Sequence, residues 1–514
     1  MQKSWSKWAL AHVYKALVAI VLVASGASLA PPAGYAQLPN MGDGAELSAS
    51  AERRLGDRII RELYRDPDYI DDPVLVEYVQ SIWQPLLAAA RLRGEITPEI
   101  DDRFAWQVLL GRDRTINAFA LPGGYMGVNL GLIGMVGSRD ELASVLAHET
   151  SHITQRHISR LMAQESRQTP LMLAAMILGA LAATKSPDAG SAMIMGGQAV
   201  AVQNQLNFSR DMEREADRIG FGVMTQAGFA PQGFVTMFEK LQQASRINDN
   251  GDFPYLRSHP LTSARIADMR SRMPLGVMPA IPLELDHAMI TARARVLSTA
   301  GTPDALRAWM SEAGVYTSAT LEPARKAAVL YAAALSAQRT RDFVRARAWA
   351  TELAGLVQSN PPAARIARLL AAETDFAAGD APRALATLCP VGSDAPRPEQ
   401  VLAAQARLRT GQAGDALAGL QNWLATHPND STVWQLLASS WQAQGQPLRA
   451  VRAEGEAQAA HRDYPAALDR FKAGQDMARR NNAGATPADY IEASIIDTRL
   501  RAMELLVREQ AAER

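Results

Sequence analysis

The sequence predicts a mainly α-helical protein, with an α+β N-terminal half that contains a small β-sheet and a C-terminal half of helical repeats. Strand patterns occur at residues 103–111 and 124–133, shortly before a long helix that begins near Asp140. From about Arg293 the chain is rich in Ala, Arg, Gln and Leu and almost lacks strand patterns. The length of 514 residues is sufficient for two or three such domains.

The overall charge is balanced, with 53 Lys and Arg residues against 53 Asp and Glu residues. Runs of basic residues with interleaved aromatic residues are missing as well. A nucleic-acid-binding protein normally carries a basic patch that neutralises phosphates. We therefore expect no nucleic-acid partner.

The first 36 residues have the three-part pattern of a secretory signal peptide. Three lysines precede the apolar run at residues 16–30, and small residues lead to a cleavage site near Ala36. An uncleaved anchor is the alternative, but the apolar run is shorter than the roughly 20 residues that a membrane span needs. We expect residues 1–36 to be removed on export and residues 37–50 to form a flexible lead.

Helical periodicity begins at residue 51 and returns after an Asp-Asp-Pro start at residues 71–73. In the first helix, apolar residues recur at helix spacing; they are Leu55, Ile59, Ile60 and Leu63. At the start of the helix near Asp140, Ser138 and Glu141 have the spacing of a capping box.

An apolar segment at residues 170–202 contains fourteen successive residues without charge, followed by a second apolar run. Neither run is long enough to cross a bilayer alone. A buried helical hairpin is the favoured interpretation, and an apolar lid or a peripheral contact with a membrane surface is the alternative.

The C-terminal half contains an internal repeat. Four segments align on a small residue, with steps of 38, 32 and 34 residues, and a fifth follows half a step later; the aligned residues are Ala346, Ala384, Ala416, Ala450 and Ala467. A period near 34 is typical of tetratricopeptide-like (TPR-like) helix pairs, which stack and leave a concave surface for a protein or peptide. An irregular helical bundle is the alternative.

The sequence "HETSH" places His148 and His152 one turn apart on one face of the long helix, where both imidazoles can bind one metal ion. Glu149 is rotated along the same turn and can accept a proton from a water that zinc activates. An exposed helix with incidental histidines is the alternative. It is disfavoured because apolar residues such as Leu142 and Leu146 indicate a buried helix.

The remaining zinc ligand cannot come from a cysteine pair, since Cys389 is the single cysteine. The best candidates lie on a later helix, where Glu213 and Asp217 share one face and Glu215 points the other way. Glu213 would complete a His2Glu zinc site, and Asp217 could orient a ligand histidine or serve in proton transfer. We expect His157, nine residues after His148, to lie on the far side of its helix as a surface or supporting residue.

The motif "HETSH" at residues 148–152 is followed by "EREAD" at residues 213–217, and the segment "INAFALPGGYMGVNLGLI" at residues 116–133 precedes both. This combination resembles the M48 family of zinc metallopeptidases, most strongly over residues 50–275. With its repeats, the chain resembles exported members of that family that act in outer-membrane assembly.

The resemblance implies a zincin-like α+β metalloprotease domain at residues 51–280, followed by a TPR-like domain at residues 290–505. It further implies one zinc ion per chain, bound by His148, His152 and Glu213. Glu149 would be the catalytic base and Asp217 the proton donor.

Three further roles follow from the same resemblance. The strand around Gly124–Asn129 would be the sheet edge on which substrate docks. His259, in a His-Pro segment, would be a fourth zinc ligand that keeps the enzyme latent; a histidine that caps a helix start is the alternative. Arg265 would assist transition-state charge. Because Cys389 has no cysteine to pair with, we expect the two domains to be held together by packing alone.

The resemblance implies a periplasmic zinc endopeptidase that acts on unfolded or stalled envelope proteins and meets their assembly machinery through the TPR-like domain. A chaperone-like binding scaffold with latent or secondary proteolysis is the alternative. An integral membrane protease is a third hypothesis, which would require residues 170–202 to insert into the bilayer.

Overall fold

The fold is described by a computed structural model that covers residues 47–164, 209–247, 253–273, 283–298, 302–315, 321–388, 390–480 and 486–512. The predicted signal peptide, most of the predicted lead at residues 37–50, the apolar segment 170–202 and Cys389 lie outside these residues. In the described ranges, no helix is both long enough and apolar enough to cross a membrane.

The N-terminal half combines helices with four short strands. Its helices are α1 (Ala49–Arg65), α2 (Pro73–Leu92), α3 (Pro98–Arg103), α4 (Leu130–Met135), α5 (Arg139–Thr154), α6 (His157–Gln164), α7 (Arg210–Gln226), α8 (Gln232–Ile247), α9 (Pro254–Ser258) and α10 (Ser263–Ser271). Its strands are β1 (Tyr69–Ile70), β2 (Gln107–Gly111), β3 (Ala118–Leu121) and β4 (Tyr125–Asn129).

The second half is helical throughout its described residues, apart from turns and short connections. Its helices are α11 (Leu285–Ser298), α12 (Pro303–Val315), α13 (Pro323–Arg339), α14 (Phe343–Val357), α15 (Pro361–Ala377), α16 (Ala381–Leu388), α17 (Arg397–Arg409), α18 (Leu417–Thr426), α19 (Ser431–Ala443), α20 (Pro447–Ala460), α21 (Tyr464–Arg480) and α22 (Pro487–Ala512). The prediction of a mainly α-helical fold with a small sheet is therefore confirmed.

The sheet has the strand order β1-β2-β4-β3. Strands β2 and β4 are parallel, while β1 and β3 are antiparallel to their neighbours. The prediction that Gly124–Asn129 forms the sheet edge is wrong, because β4 is paired on both sides. The edge strand is β3, the neighbour of β4, and the sequence pattern did not predict β3 as a separate strand.

The predicted strand at residues 124–133 ends earlier, at Asn129, and continues as helix α4. The glycines after Asn129 allow helix α4 to pack closely against neighbouring segments. A Cβ atom on Gly131 would come within 2.0 Å of the carbonyl oxygen of Arg114, and one on Gly134 within 2.9 Å of the Arg295 side chain. The glycines that interrupt this apolar run therefore let a buried helix lie against the neighbouring chain.

Two helix starts form as their sequences predict. The Asp72 side chain accepts a hydrogen bond from Leu75 N at 3.0 Å, and Pro73 begins α2. Ser138 caps α5 by accepting from Glu141 N at 3.2 Å. Only half of the predicted capping box forms, because the Glu141 carboxylate accepts from Gly137 N instead of the backbone of Ser138.

In the second half, each helix from α13 to α22 packs against the next helix in the chain. The five alanines that align in the internal repeat are all buried at these contacts; they are Ala346, Ala384, Ala416, Ala450 and Ala467. The residue that begins each aligned segment has a positive φ, at Arg341, Gly379, Gly411, Gly445 and Arg462. The repeat in the sequence thus corresponds to a repeated turn between helices, while its assignment as TPR-like stays a prediction.

The two halves share one hydrophobic core, which includes residues from Ala49 to Ala403. Ion pairs add to it, contrary to the expectation of packing alone. Three arginines of the second half reach acidic residues at the start of α2: Arg293 binds Asp72 at 2.7 Å, Arg365 binds Glu77 at 2.6 Å and Arg397 binds Asp71 at 2.6 Å. We call these three pairs the α2 clamp.

Candidate metal centre

Helix α5 is buried along almost its whole length, and it carries the histidine motif into the protein interior. His148 and His152 are both about 1 % exposed, and their Nε2 atoms lie 3.0 Å apart. The i, i+4 spacing therefore directs both imidazoles to one point, as two ligands of one ion require.

Helix α7 brings its acidic residues to the same point. A Cβ atom on Gly220 would lie 3.1 Å from the backbone of Ala147, so the absence of a side chain lets α7 approach α5 closely. One and two turns before Gly220 on α7, Asp217 and Glu213 face His148. The Glu213 carboxylate lies 3.5 Å from His148 Nε2 and 3.4 Å from His152 Nε2.

His259 joins this group from a segment far along the chain. It follows the last residue of α9, so it lies at a helix end and does not cap a helix start. Its side chain is buried, with Nδ1 at 2.9 Å from Glu213 Oε1 and 3.4 Å from His148 Nε2.

The four residues His148, His152, Glu213 and His259 form a cluster that could hold a metal ion. The separations given above between their ligand atoms range from 2.9 to 3.5 Å. Ligands at the usual distances from zinc, about 2.0–2.2 Å, stand about 3.3–3.6 Å apart in a tetrahedron. The donor set and its spacing therefore fit zinc.

The charges around the cluster favour a cation as well. Three buried carboxylates, of Glu149, Glu213 and Asp217, face one buried guanidinium, of Arg265. With neutral histidines the formal sum of these four groups is −2, which is costly in a buried site without compensation. A divalent metal ion would neutralise it.

The pKa values of the two motif histidines shift in opposite directions. Burial lowers the pKa of His152, which keeps the ring neutral and able to bind a metal. Burial also acts on His148, but Asp217 and Glu213 outweigh it and raise its pKa to about 10. These carboxylates therefore favour positive charge at the position of His148, which a bound cation would supply.

Glu149 lies between the cluster and the sheet. Its Oε2 atom accepts a hydrogen bond from Ala120 N of the edge strand β3 at 2.9 Å, and its Oε1 atom lies 3.4 Å from His259 Nε2. Oε1 makes no hydrogen bond within the described residues. Burial raises the pKa of Glu149, so the protonated carboxyl is favoured more than at an exposed position.

Asp217 connects His148 to Arg265. Its Oδ1 atom lies 2.9 Å from His148 Nδ1, and both carboxylate oxygens bind Arg265, at 2.6 and 2.7 Å. Arg265 also lies 2.7 Å from Glu213 and donates to the Pro260 carbonyl at 3.0 Å. Its guanidinium therefore lies behind the ligands and joins α7 to the segment that carries His259.

The expectation that His157 lies on the far side of its helix is wrong. Helix α5 ends at Thr154, Arg156 has a φ of 52°, and α6 starts at His157 itself. This break turns the His157 side chain back into the interior. Its Nδ1 atom lies 2.9 Å from His152 Nδ1, and its Nε2 atom lies 3.1 Å from Glu215.

The sequence alone did not predict two parts of this site. Arg265 contacts Asp217 and Glu213 and packs over the Phe238 ring, which the sequence does not predict, while its role in transition-state charge stays a prediction. The contact between β3 and Glu149 was missed because β3 was not recognised as a strand. One signal could have indicated the contacts of Arg265: an acidic residue on one buried helix and a basic residue on another can pair with each other.

Known proteins that are similar to this chain include metallopeptidases, in agreement with the donor set of the cluster. The model of Peptidase family M48 matches residues 76–273. The chain is 32% identical to the beta-barrel assembly-enhancing protease of Escherichia coli (strain K12), over 84% of this chain and 86% of that protein. It is 34% identical to the putative beta-barrel assembly-enhancing protease of Vibrio cholerae, over 62% of this chain and 63% of that protein. It is also 33% identical to the mitochondrial metalloendopeptidase OMA1 of Schizosaccharomyces pombe, over 33% of this chain and 47% of that protein.

Proposed function

The chain belongs to peptidase family M48 and is a metalloendopeptidase; on that premise we propose that it is exported and uses zinc to cleave envelope proteins during their quality control and outer-membrane assembly. One observation carries the proposal. The buried cluster of His148, His152, Glu213 and His259 lies beside Glu149, and Glu149 binds the edge strand of the sheet.

In this proposal His148, His152 and Glu213 hold the zinc ion. Bound zinc would activate a water and polarise the scissile carbonyl group. Glu149 accepts the proton of the attacking water and passes it towards the leaving amine. Its burial and its raised pKa suit both steps.

The edge strand β3 supplies a docking surface for substrate. Ala120 N–H points at Glu149 and away from β4, so the edge of β3 that pairs with no other described strand faces the catalytic base. A substrate segment that adds to this edge as a further strand would run past Glu149. The main-chain hydrogen bonds of such pairing suit substrates of varied sequence in an extended conformation.

Asp217 is proposed to orient His148, because its carboxylate is shared between His148 and Arg265. The alternative role as proton donor would require it to leave one of these partners. His259 is proposed as a fourth ligand that keeps the enzyme latent, since the position of its Nδ1 atom near Glu213 and His148 would occupy the coordination position that water needs.

The location and the substrate class rest on the relatives and on the N-terminal pattern. The names of the Escherichia coli and Vibrio cholerae proteins refer to beta-barrel assembly. We extend this to envelope proteins as substrates, with the helical pairs of the second half as the surface for assembly machinery. The stacked pairs also support the alternative of a binding scaffold, in which proteolysis is secondary.

Metal analysis of the purified protein and casein cleavage by wild type and Glu149→Gln test the proposal together. We expect about one zinc per chain and at least a hundredfold loss of cleavage in Glu149→Gln, since general-base catalysis contributes about 10²–10⁴-fold. Glu99→Gln, on the exposed surface of α3, is the control and should cleave like wild type. Equal cleavage by wild type and Glu149→Gln, or a protein without zinc, would refute the mechanism.

Latency requires one further comparison. If wild type binds zinc but cleaves slowly, His259→Ala should cleave faster while it still binds zinc. Unchanged cleavage in His259→Ala would exclude the latent role of this histidine.

A further inference from the structure

An open cavity of about 450 Å³ lies where the helical pairs meet the start of α2. One side is formed by the ends of α13 and α15 and by α17, which are the first helices of three successive pairs. The other side is formed by Ile70, by residues 72–74 and by Arg112, directly after β2. Its volume lies in the range of about 300–1,000 Å³ that is usual for ligand sites.

The cavity carries an excess of positive charge. Three arginines and two acidic residues line it: Arg112, Arg293, Arg339, Asp72 and Glu373. Arg293 binds both Asp72 and Glu373, at 2.7 and 2.8 Å, so the charges of these two carboxylates are already paired. Arg112 and Arg339 form no ion pair with any residue that the structure describes, and burial followed by the charges of Arg112 and Arg293 lowers the pKa of Arg339. Because Asp72 and Glu373 are already paired with Arg293, the guanidinium groups of Arg112 and the exposed Arg339 give the cavity a positive charge that favours an anion.

The other residues that line the cavity are apolar side chains and glutamines, whose amides can hydrogen-bond to a peptide backbone. Leu335, Phe376 and Leu402 contribute apolar surface. Gln338 and Gln405 also line the cavity, and within the described ranges neither side chain hydrogen-bonds to another side chain. A ligand that matches these groups has a carboxylate, an adjacent apolar group and amide groups.

We propose that this cavity binds the free C-terminal carboxylate of a polypeptide whose last residue is apolar. A C-terminal residue combines the carboxylate and the apolar side chain on one Cα atom, with a backbone amide next to them. An internal Asp or Glu lacks the apolar group at that position, and a fatty acid would leave both glutamine amides without partners. Such a site would hold a chain end whether or not proteolysis occurs.

Binding of a labelled peptide tests the proposal. The probe is a fluorescein-labelled octapeptide of Gly and Ser that ends in Phe, and it is compared with the same peptide carrying a C-terminal amide. The full-length Glu149→Gln protein is used, so that cleavage cannot affect the measured anisotropy and the outcome does not depend on the proposed proteolysis. We expect the free acid to bind at least tenfold more tightly, and equal affinity would overturn the proposal.

Variants then locate the site. Arg112→Gln and Arg339→Gln should each weaken binding of the free acid by about tenfold, as expected for loss of one charge-assisted contact. Arg368→Gln is the matched control, because it is an exposed arginine of α15 outside the cavity. Unchanged affinity in both cavity variants would place binding elsewhere and refute the site.

Competition experiments distinguish a C-terminal carboxylate from the carboxylate of an internal Asp or of a fatty acid. An amidated peptide with an internal Asp, or dodecanoate, should displace the free-acid probe only at concentrations at least tenfold higher than the unlabelled free-acid peptide. If either competitor displaces the probe as well as the free-acid peptide does, the cavity does not select a polypeptide C-terminus.

Discussion

Arg265 binds both carboxylate oxygens of Asp217, at 2.6 and 2.7 Å, and both side chains are buried. Asp217 Oδ1 lies 2.9 Å from His148 Nδ1 on α5. Arg265 also contacts Glu213, on the same helix as Asp217, and the Pro260 carbonyl, next to His259, so it joins α7 to the segment that carries His259. A planar guanidinium can make these contacts simultaneously, whereas a lysine cannot.

The first prediction concerns this pair. Arg265→Lys should lower zinc affinity by about 10–100-fold, the usual effect of disturbing a residue that orients a metal ligand. The measurement is zinc competition against a fluorescent chelator, which does not depend on activity. Arg272→Lys, an exposed arginine that pairs with Asp268, should leave zinc affinity unchanged. Zinc affinity equal to wild type in Arg265→Lys would show that this guanidinium is not needed to arrange the ligands.

The second prediction concerns His157, which connects His152 to Glu215. His157→Phe keeps an aromatic ring but removes both contacts, so His152 loses the partner that fixes its ring orientation. We expect zinc affinity to fall about tenfold or more. His427→Phe, at an exposed histidine of the second half, serves as the control. A zinc affinity in His157→Phe that matches the control would leave His157 without a role in the site.

The third prediction concerns the close contact of α5 and α7. Gly220→Ala places a Cβ atom 3.1 Å from the Ala147 backbone, so the helices must move apart by a few tenths of an ångström. We expect lower thermal stability and weaker zinc binding. Gly355→Ala, in α14 with nothing within 4 Å of the added atom, should instead raise stability by up to about 1 kcal/mol through helix propensity. Equal shifts in the melting temperature of the two variants would contradict the close-contact argument.

The fourth prediction is a pH dependence of stability from His287 in α11. This histidine is buried, its Nδ1 atom lies 2.6 Å from the Tyr78 hydroxyl, and burial lowers its pKa to about 4. Because the folded pKa lies below the unfolded value of about 6.5, its contribution to stability is present above pH 6.5 and is lost as the pH falls towards 4. The loss amounts to about 3 kcal/mol over this range.

The measurement is the free energy of unfolding by urea between pH 7 and pH 4, in wild type and His287→Gln. The variant should lose less stability over this interval, although it is less stable than wild type at pH 7. Parallel curves for the two proteins would show that His287 does not titrate in this range.

Contacts within one helix could be predicted from the sequence, because the helical period fixes them. This is why His148 with His152, and Glu213 with Asp217, face one point as expected. Contacts between distant segments could not be predicted in the same way. The position of Arg265 between Asp217 and Glu213 depends on how α7 and α10 pack, which no local pattern encodes.

Two errors have physical causes that the sequence conceals. The break between α5 and α6 lies at Arg156, whose positive φ occurs without a glycine or asparagine to indicate it. The edge of the sheet was misassigned because strand order depends on pairing, and β3 lies outside β4 although it precedes β4 in the chain.

The α2 clamp joins residues that are made at very different times. Asp72 precedes Arg293 by 221 positions, Glu77 precedes Arg365 by 288, and Asp71 precedes Arg397 by 326. During synthesis the pairing of these acidic residues therefore begins with Arg293 in α11 and is completed only when Arg397, the first residue of α17, has been made. The α2 clamp therefore ties the folding of an early helix to arginines that are made much later, so the contacts between the two halves are completed late in synthesis.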